Sequence, residues 1–253
     1  MQSVDGNAIF YRSDGSGEPA VVLVHFWGGN ADEWAGVMPT LATKRRVVAI
    51  DLPGQGRSGK NRADWSVDAY VEDLRAVLDG LGITKAAIVG HSMSGTIAVA
   101  AAAKMPDRIT KVVPIDSVQD ATYVDDPVEA KAFFDKFRAD FPGSVARLVK
   151  SNLPKSVDPA VEKRVLDMML NNDPKIAIPI LENNASYPLK DAFVKVRVPI
   201  VDINGDLWPT SIEKNRTLSP RFEARIMKNT GHWPMFERPQ EFTAILAEVL
   251  DAP

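Results

Sequence analysis

Aliphatic and β-branched runs with little polar alternation recur along the chain at residues 20–25, 47–51, 86–89, 111–115 and 199–204. Such runs predict strands covered on both faces, as in a mostly parallel sheet. Residues 8–11, after the turn Asp5-Gly6-Asn7, predict an edge strand, and residues 221–227 a last strand. Other stretches follow the helical period. Val67, Tyr70, Val71, Leu74, Val77, Leu78 and Leu81 mark one apolar face, closed by Gly80 and Gly82. Residues 96–103 are almost all alanine and aliphatic, which predicts a buried helix closed by Pro106. Phe242, Ile245, Leu246, Val249 and Leu250 mark a final helix. Strands alternating with helices predict an α/β fold around a parallel sheet.

The alternation stops between about 119 and 194. Only helices are predicted there, over 127–141, 144–150, 159–171 and 174–184, with Asp126-Pro127, Asp158-Pro159 and Asp173-Pro174 as helix openings. Two parts are therefore expected: an α/β part from 1–118 and 195–253, and an all-helical part from 119–194.

Composition narrows the chemistry. A chain of 253 residues that is 45% hydrophobic and 25% charged can bury one large core. A net charge of −3 gives no reason to expect nucleic acid or an anionic membrane as partner. There is no cysteine, so disulfides, thiolate metal sites and cysteine catalysis are excluded. No apolar run approaches the ~20 residues of a spanning helix, and the first residues carry no leader pattern, so a cytoplasmic protein is expected. The sequence implies no metal and no cofactor, and leaves the oligomeric state open.

The predicted strand 86–89 runs through Gly90-His91-Ser92-Met93-Ser94-Gly95 directly into the alanine-rich helix. So tight a turn needs small residues on either side of its apex, and it holds the apex side chain, Ser92, above a helix N-terminus. This segment resembles the nucleophile elbow of the α/β-hydrolases, with Ser94 in place of the usual second glycine. The resemblance implies an eight-stranded, mostly parallel sheet flanked by helices, with residues 119–194 as an inserted helical cap. Gly54, Gly56 and Gly59 also fit a dinucleotide fingerprint, but no helix opens on the last glycine. The stretch is more similar to the Asp-x-x-Gly-x-Gly-x-Ser turn that hydrolases carry after this strand.

A serine needs a base. Of the three histidines, His91 neighbours the apex and faces the other way along the strand, and His25 stands where family histidines are structural. His232, in the loop after the last predicted strand, remains. The acid has two candidates. The usual family position, counted from Gly205, falls on Trp208, which has no carboxylate. Asp206 follows that glycine and is preferred; Asp116, after strand 111–115, is the alternative, as in haloalkane dehalogenases. The resemblance further implies an oxyanion hole from the amides of Trp27 and Met93, with Phe26 where the family has glycine. Phe26, Phe133, Phe137, Trp208 and Trp233 are expected to line the substrate pocket, and Phe134, Phe141, Met168 and Met169 are further lining candidates. The expected reaction is hydrolysis of a small-molecule apolar or aryl ester through an acyl-enzyme. Hydrolysis of a C–C bond, lactone or amide, and a ligand-binding role with little turnover, are the alternatives.

Overall fold

In the computed structural model, which describes residues 1–252, seven strands form one sheet in the order β1-β3-β2-β4-β5-β6-β7. They are β1 (Tyr11–Asp14), β2 (Ala20–Val24), β3 (Val47–Ile50), β4 (Ala86–His91), β5 (Ile109–Ile115), β6 (Ile200–Gly205) and β7 (Phe222–Met227). Only β1 is antiparallel, paired to β3. The four residues of β3 and five of β2 are all buried, as the unbroken apolar runs require of strands covered on both faces.

Seven strands are found where eight are expected. The edge strand expected at 8–11 lies instead at Tyr11–Asp14: Ala8 makes only an isolated bridge with Gln2, and its carbonyl accepts from Gly59 N–H at 2.8 Å. The loop after β3 thus holds that backbone, and the ladder to β3 begins at Tyr11.

The helices are α1 (Met38–Ala42), α2 (Val67–Gly80), α3 (Met93–Lys104), α4 (Pro127–Ala139), α5 (Phe141–Ser151), α6 (Pro159–Leu170), α7 (Pro174–Ala185), α8 (Leu189–Phe193), α9 (Ile212–Leu218), α10 (Pro234–Glu237) and α11 (Pro239–Asp251). α2 buries one stripe and is capped by Ser66, whose hydroxyl accepts from Ala69 N–H. α3 is apolar on every side and buried from Met93 to Ala102.

Helices α4 to α8 fall between β5 and β6. Asp126, Asp158 and Asp173 cap α4, α6 and α7, each with proline in the first turn. α4 stops at Ala139, short of the expected 141, because the Asp140 side chain accepts from Gly143 N–H and opens α5 ahead of Pro142. This helical layer is bonded to the carboxyl end of the sheet. Trp27 Nε1–H donates to Ala177 O of α7 at 2.7 Å, Asn184 Nδ2–H of α7 to Met93 O at 3.0 Å, and His232 N–H to Asn152 O at 2.9 Å.

Candidate active site

Ser92 is the residue between β4 and α3, at φ 55° and ψ −121°. A non-glycine residue costs about 1–3 kcal/mol in such a region, and persists where its surroundings fix it. Here Ser92 N–H donates to Ile115 O at 2.9 Å, and Ser92 O accepts from Gly95 N–H at 2.8 Å and from Ser117 Oγ at 2.7 Å. The helix can turn back this tightly only past small residues. A Cβ on Gly90 would lie 2.0 Å from Ser94 O, and one on Gly95 2.1 Å from Ser117 Oγ. Ser94, in the family's glycine position, is fully buried and donates its hydroxyl to His25 O at 2.5 Å. It fits, and it fastens α3 to the end of β2.

Parallel β5 and β6 deliver Asp116 to the same sheet end, with its N–H on Ile203 O at 3.0 Å. Asp116 is buried and at φ 41°. Its Oδ1 accepts from Gly205 N–H at 2.9 Å, and its Oδ2 lies 2.6 Å from His232 Nδ1. An ionised carboxylate only accepts, so Nδ1 carries the proton and Nε2 presents a lone pair. His232 and Ser92 line one cavity.

The preferred acid, Asp206, is elsewhere. Its backbone N–H donates to Thr230 O at 3.1 Å and its Oδ1 accepts from Thr230 N–H at 3.3 Å. The loop after β6 is thereby tied to the loop after β7, and the Asp206 carboxylate caps that junction instead of reaching the imidazole. Asp116 holds the place assigned to it as the alternative.

Among the described residues the amides of Trp27 and Met93 have no acceptor within the protein. Phe26 has no positive φ, so its Cβ introduces no backbone strain there. Its ring is buried 5.4 Å from the His91 ring and 5.8 Å, edge-on, from Trp233.

The shared cavity, of about 510 Å³, is walled by Phe26, Trp27, Phe133, Phe134, Met169 and Trp233, with Leu148 and Leu181. Phe26, Phe133 and Trp233 are thus where they were expected. Phe137 is not: it packs behind the wall, 5.7 Å from Trp27 and 4.9 Å from Phe133. Of the further candidates, Phe141 and Met168 also lie outside the lining. Trp208 stands off the apolar cavity too. It is half exposed, donates Nε1–H to Asn152 Oδ1 at 3.1 Å, and borders a second cavity of about 710 Å³. That cavity also reaches Ser92 and His232 and carries Thr96, Ser117, Gln119, Asp120 and Asn184.

The other two histidines are internal. His25 Nδ1–H donates to Phe26 O at 2.7 Å and Nε2 accepts from Leu52 N–H at 3.0 Å; burial pushes its imidazole down, and both bonds fit the neutral ring. His91 does face away from the cavity, but its ring lies 5.0 Å from that of His232. It stands between His232 O, 2.7 Å from Nε2, and Glu33 Oε1, 2.6 Å from Nδ1. Glu33 is a functional candidate that the sequence did not suggest. Leu148 and Leu181 were also missed, being single leucines on helices that bury other apolar residues.

A doubly wound sheet with a strained serine between strand and helix, and a buried carboxylate on a loop histidine, defines the α/β-hydrolase class. The chain belongs to the alpha/beta hydrolase fold family, whose model matches residues 19–196. An uncharacterized protein of Mycobacterium tuberculosis is 27% identical, over 99% of this chain and 80% of its own length. The bromoperoxidase of Bacillus anthracis superposes with a TM-score of 0.88 at 20% identity, over 100% of this chain and 99% of its own. The esterase of Exiguobacterium antarcticum also gives 0.88, at 18% identity and coverages of 100% and 98%.

Proposed function

We propose that the protein is a serine hydrolase that cleaves small carboxylic esters bearing an apolar or aryl group. The observation that carries this reading is the 2.6 Å contact of Asp116 Oδ2 with His232 Nδ1, at a cavity shared with the strained Ser92. In this reading His232 Nε2 takes the proton of Ser92 Oγ as the oxygen attacks the ester carbon. Asp116 keeps the imidazole in the tautomer that can accept that proton, and stabilises the imidazolium that follows. The tetrahedral oxyanion is received by the Trp27 and Met93 amides, the second of them at the N-terminus of α3. Imidazolium then protonates the leaving alcohol, and water repeats the sequence on the acyl-enzyme.

The aromatic wall around Ser92 supports an apolar or aryl group on the substrate. Residues 119–194 serve as the cap that supplies Phe133, Phe134, Met169 and Leu181 to that wall. Likeness to a bacterial esterase is in keeping with this reaction. No helix among the described residues is long and apolar enough to cross a membrane.

A panel of p-nitrophenyl esters of rising acyl length, run beside phenyl esters, lactones and amides, tests the proposal. The expected result is a burst of p-nitrophenol with short esters, absent in Ser92→Ala. No turnover of any ester, or a Ser92→Ala protein that keeps more than a tenth of the rate, would overturn it. Turnover of lactones or amides alone would move the reaction class.

A further inference from the structure

Glu33 lies in a 3-10 turn, Ala31–Trp34, between β2 and α1, and only 2% of it is exposed. Its carboxyl group reaches two of the site's segments directly. Oε2 accepts from Phe26 N–H at 3.1 Å, one residue before the Trp27 amide. Oε1 is 2.6 Å from His91 Nδ1, one residue before Ser92. His91 extends the contact to the third segment, because its Nε2 lies 2.7 Å from the backbone oxygen of His232. A carbonyl oxygen can only accept, so His91 Nε2 carries a proton in this arrangement.

We propose that Glu33 is a positioning residue for the whole site, holding in register the strand end with the Trp27 amide, the strand with Ser92 and the loop with His232. This rests on reading Ser92, His232 and Asp116 as a hydrolytic site. Burial pushes the Glu33 carboxyl up to about 8 and the His91 imidazole well below its ordinary value. The pair is therefore uncharged near neutral pH: Glu33 keeps its proton and donates it to Nδ1, while Nε2–H holds the His232 carbonyl. The groups that face the pair are His25 from the end of β2, His232, Arg164 of α6 and Asp116. Asp51, beyond β3, acts on His25. When Glu33 loses its proton, the buried carboxylate needs a donor, so the His91 proton moves to Nδ1. The Nε2 lone pair then faces the His232 carbonyl lone pairs, and the loop carrying the base is released. Turnover should accordingly fall as the pH rises through about 8.

Glu33→Gln separates this from a merely structural acid. The amide N–H donates to Nδ1 and the amide oxygen accepts from Phe26 N–H, so the pattern survives with no proton to lose. At pH 7 its kcat should stay within ~3-fold of the parent, and the alkaline fall should vanish. Glu33→Leu removes both bonds, and kcat should drop ~10–100-fold with KM little changed, the scale expected for ångström misplacement of a reacting group. An independent readout is NMR of 15N-histidine-labelled protein, since the chain has three rings to resolve. The His232 Nδ1–H signal should hold in Glu33→Gln and shift or broaden in Glu33→Leu. Parental kcat with an unmoved His232 signal in Glu33→Leu overturns the proposal, as does an alkaline fall that persists in Glu33→Gln. If Glu33→Leu does not fold, the pH profile of Glu33→Gln decides. If even the parent turns over no ester, the hydrolase reading fails, and the NMR comparison of the parent with the two variants decides the positioning role alone.

Discussion

Asp116→Asn is the sharpest test of the site because the surroundings dictate how an asparagine would sit. Asp116 Oδ1 accepts from Gly205 N–H at 2.9 Å, so the asparagine oxygen must occupy that place. The amide NH₂ is then left 2.6 Å from His232 Nδ1, in the place of Oδ2. A donor there forces Nδ1 to be the acceptor, and the single proton of the neutral ring moves to Nε2. The nitrogen that should receive the Ser92 proton is now blocked. The change swaps one oxygen for one nitrogen, so the fold is little disturbed, but the base exists only in the wrong tautomer. On the scale of the same change in serine proteases, kcat for a p-nitrophenyl ester should fall ~10⁴-fold. Far-UV circular dichroism and urea midpoints report whether the fold is kept. Asp206→Asn, assayed alongside, should change kcat less than ~3-fold, because it loosens only an exposed loop junction. A folded Asp116→Asn within tenfold of the parent, or the reverse ranking of the two variants, refutes the tautomer argument.

Three further outcomes follow from the same geometry. Ser92→Gly should be inactive yet more stable than Ser92→Ala by about 1 kcal/mol in urea titration, because glycine accepts the φ of 55° without strain; equal midpoints would refute stored strain at the elbow. Phe133→Ala, at a wall position still 38% exposed, should shift ester preference toward longer acyl chains at small cost in stability; an unchanged chain-length profile would remove Phe133 from the substrate path. Asp202 is fully buried in β6 and held well above the ordinary carboxylate range by that burial. The folded state therefore binds a proton that the unfolded chain has released, and Asp202 lowers stability as the pH rises from about 4. Asp202→Asn should gain on the parent as the pH rises from about 4, by at most ~1.4 kcal/mol per pH unit, and a difference that does not grow with pH would refute it.

The elbow was legible because its signals are local: an apolar run, small residues, then alanine in a helix. His232 was legible by scarcity, there being three histidines to sort. The acid was not. Asp116 and Asp206 both follow a strand, and which meets the imidazole depends on Thr230 engaging Asp206 from 24 positions away. Glu33 left no trace, since its partner His91 stands 58 positions on and no local pattern joins the two. α9 was missed because its buried side chain is Asn215, so the helix has no apolar period to detect. Trp208 and Phe137 show a related limit. Aromatic composition tells that a wall exists, and side-chain direction decides which rings are in it.

α7 touches the site in two places. The Trp27 indole hangs from Ala177 O and the Met93 carbonyl from Asn184, so one helix grips both residues whose amides are proposed to receive the oxyanion. A lid hinged on α7 would swing those amides with every opening, spoiling the alignment it was meant to shelter. On the proposed reading the helix is a lintel over the site and not its lid. α4 shares that burden, since its Phe137 ring packs 5.7 Å from Trp27 and its Arg138 pairs with Glu182 of α7.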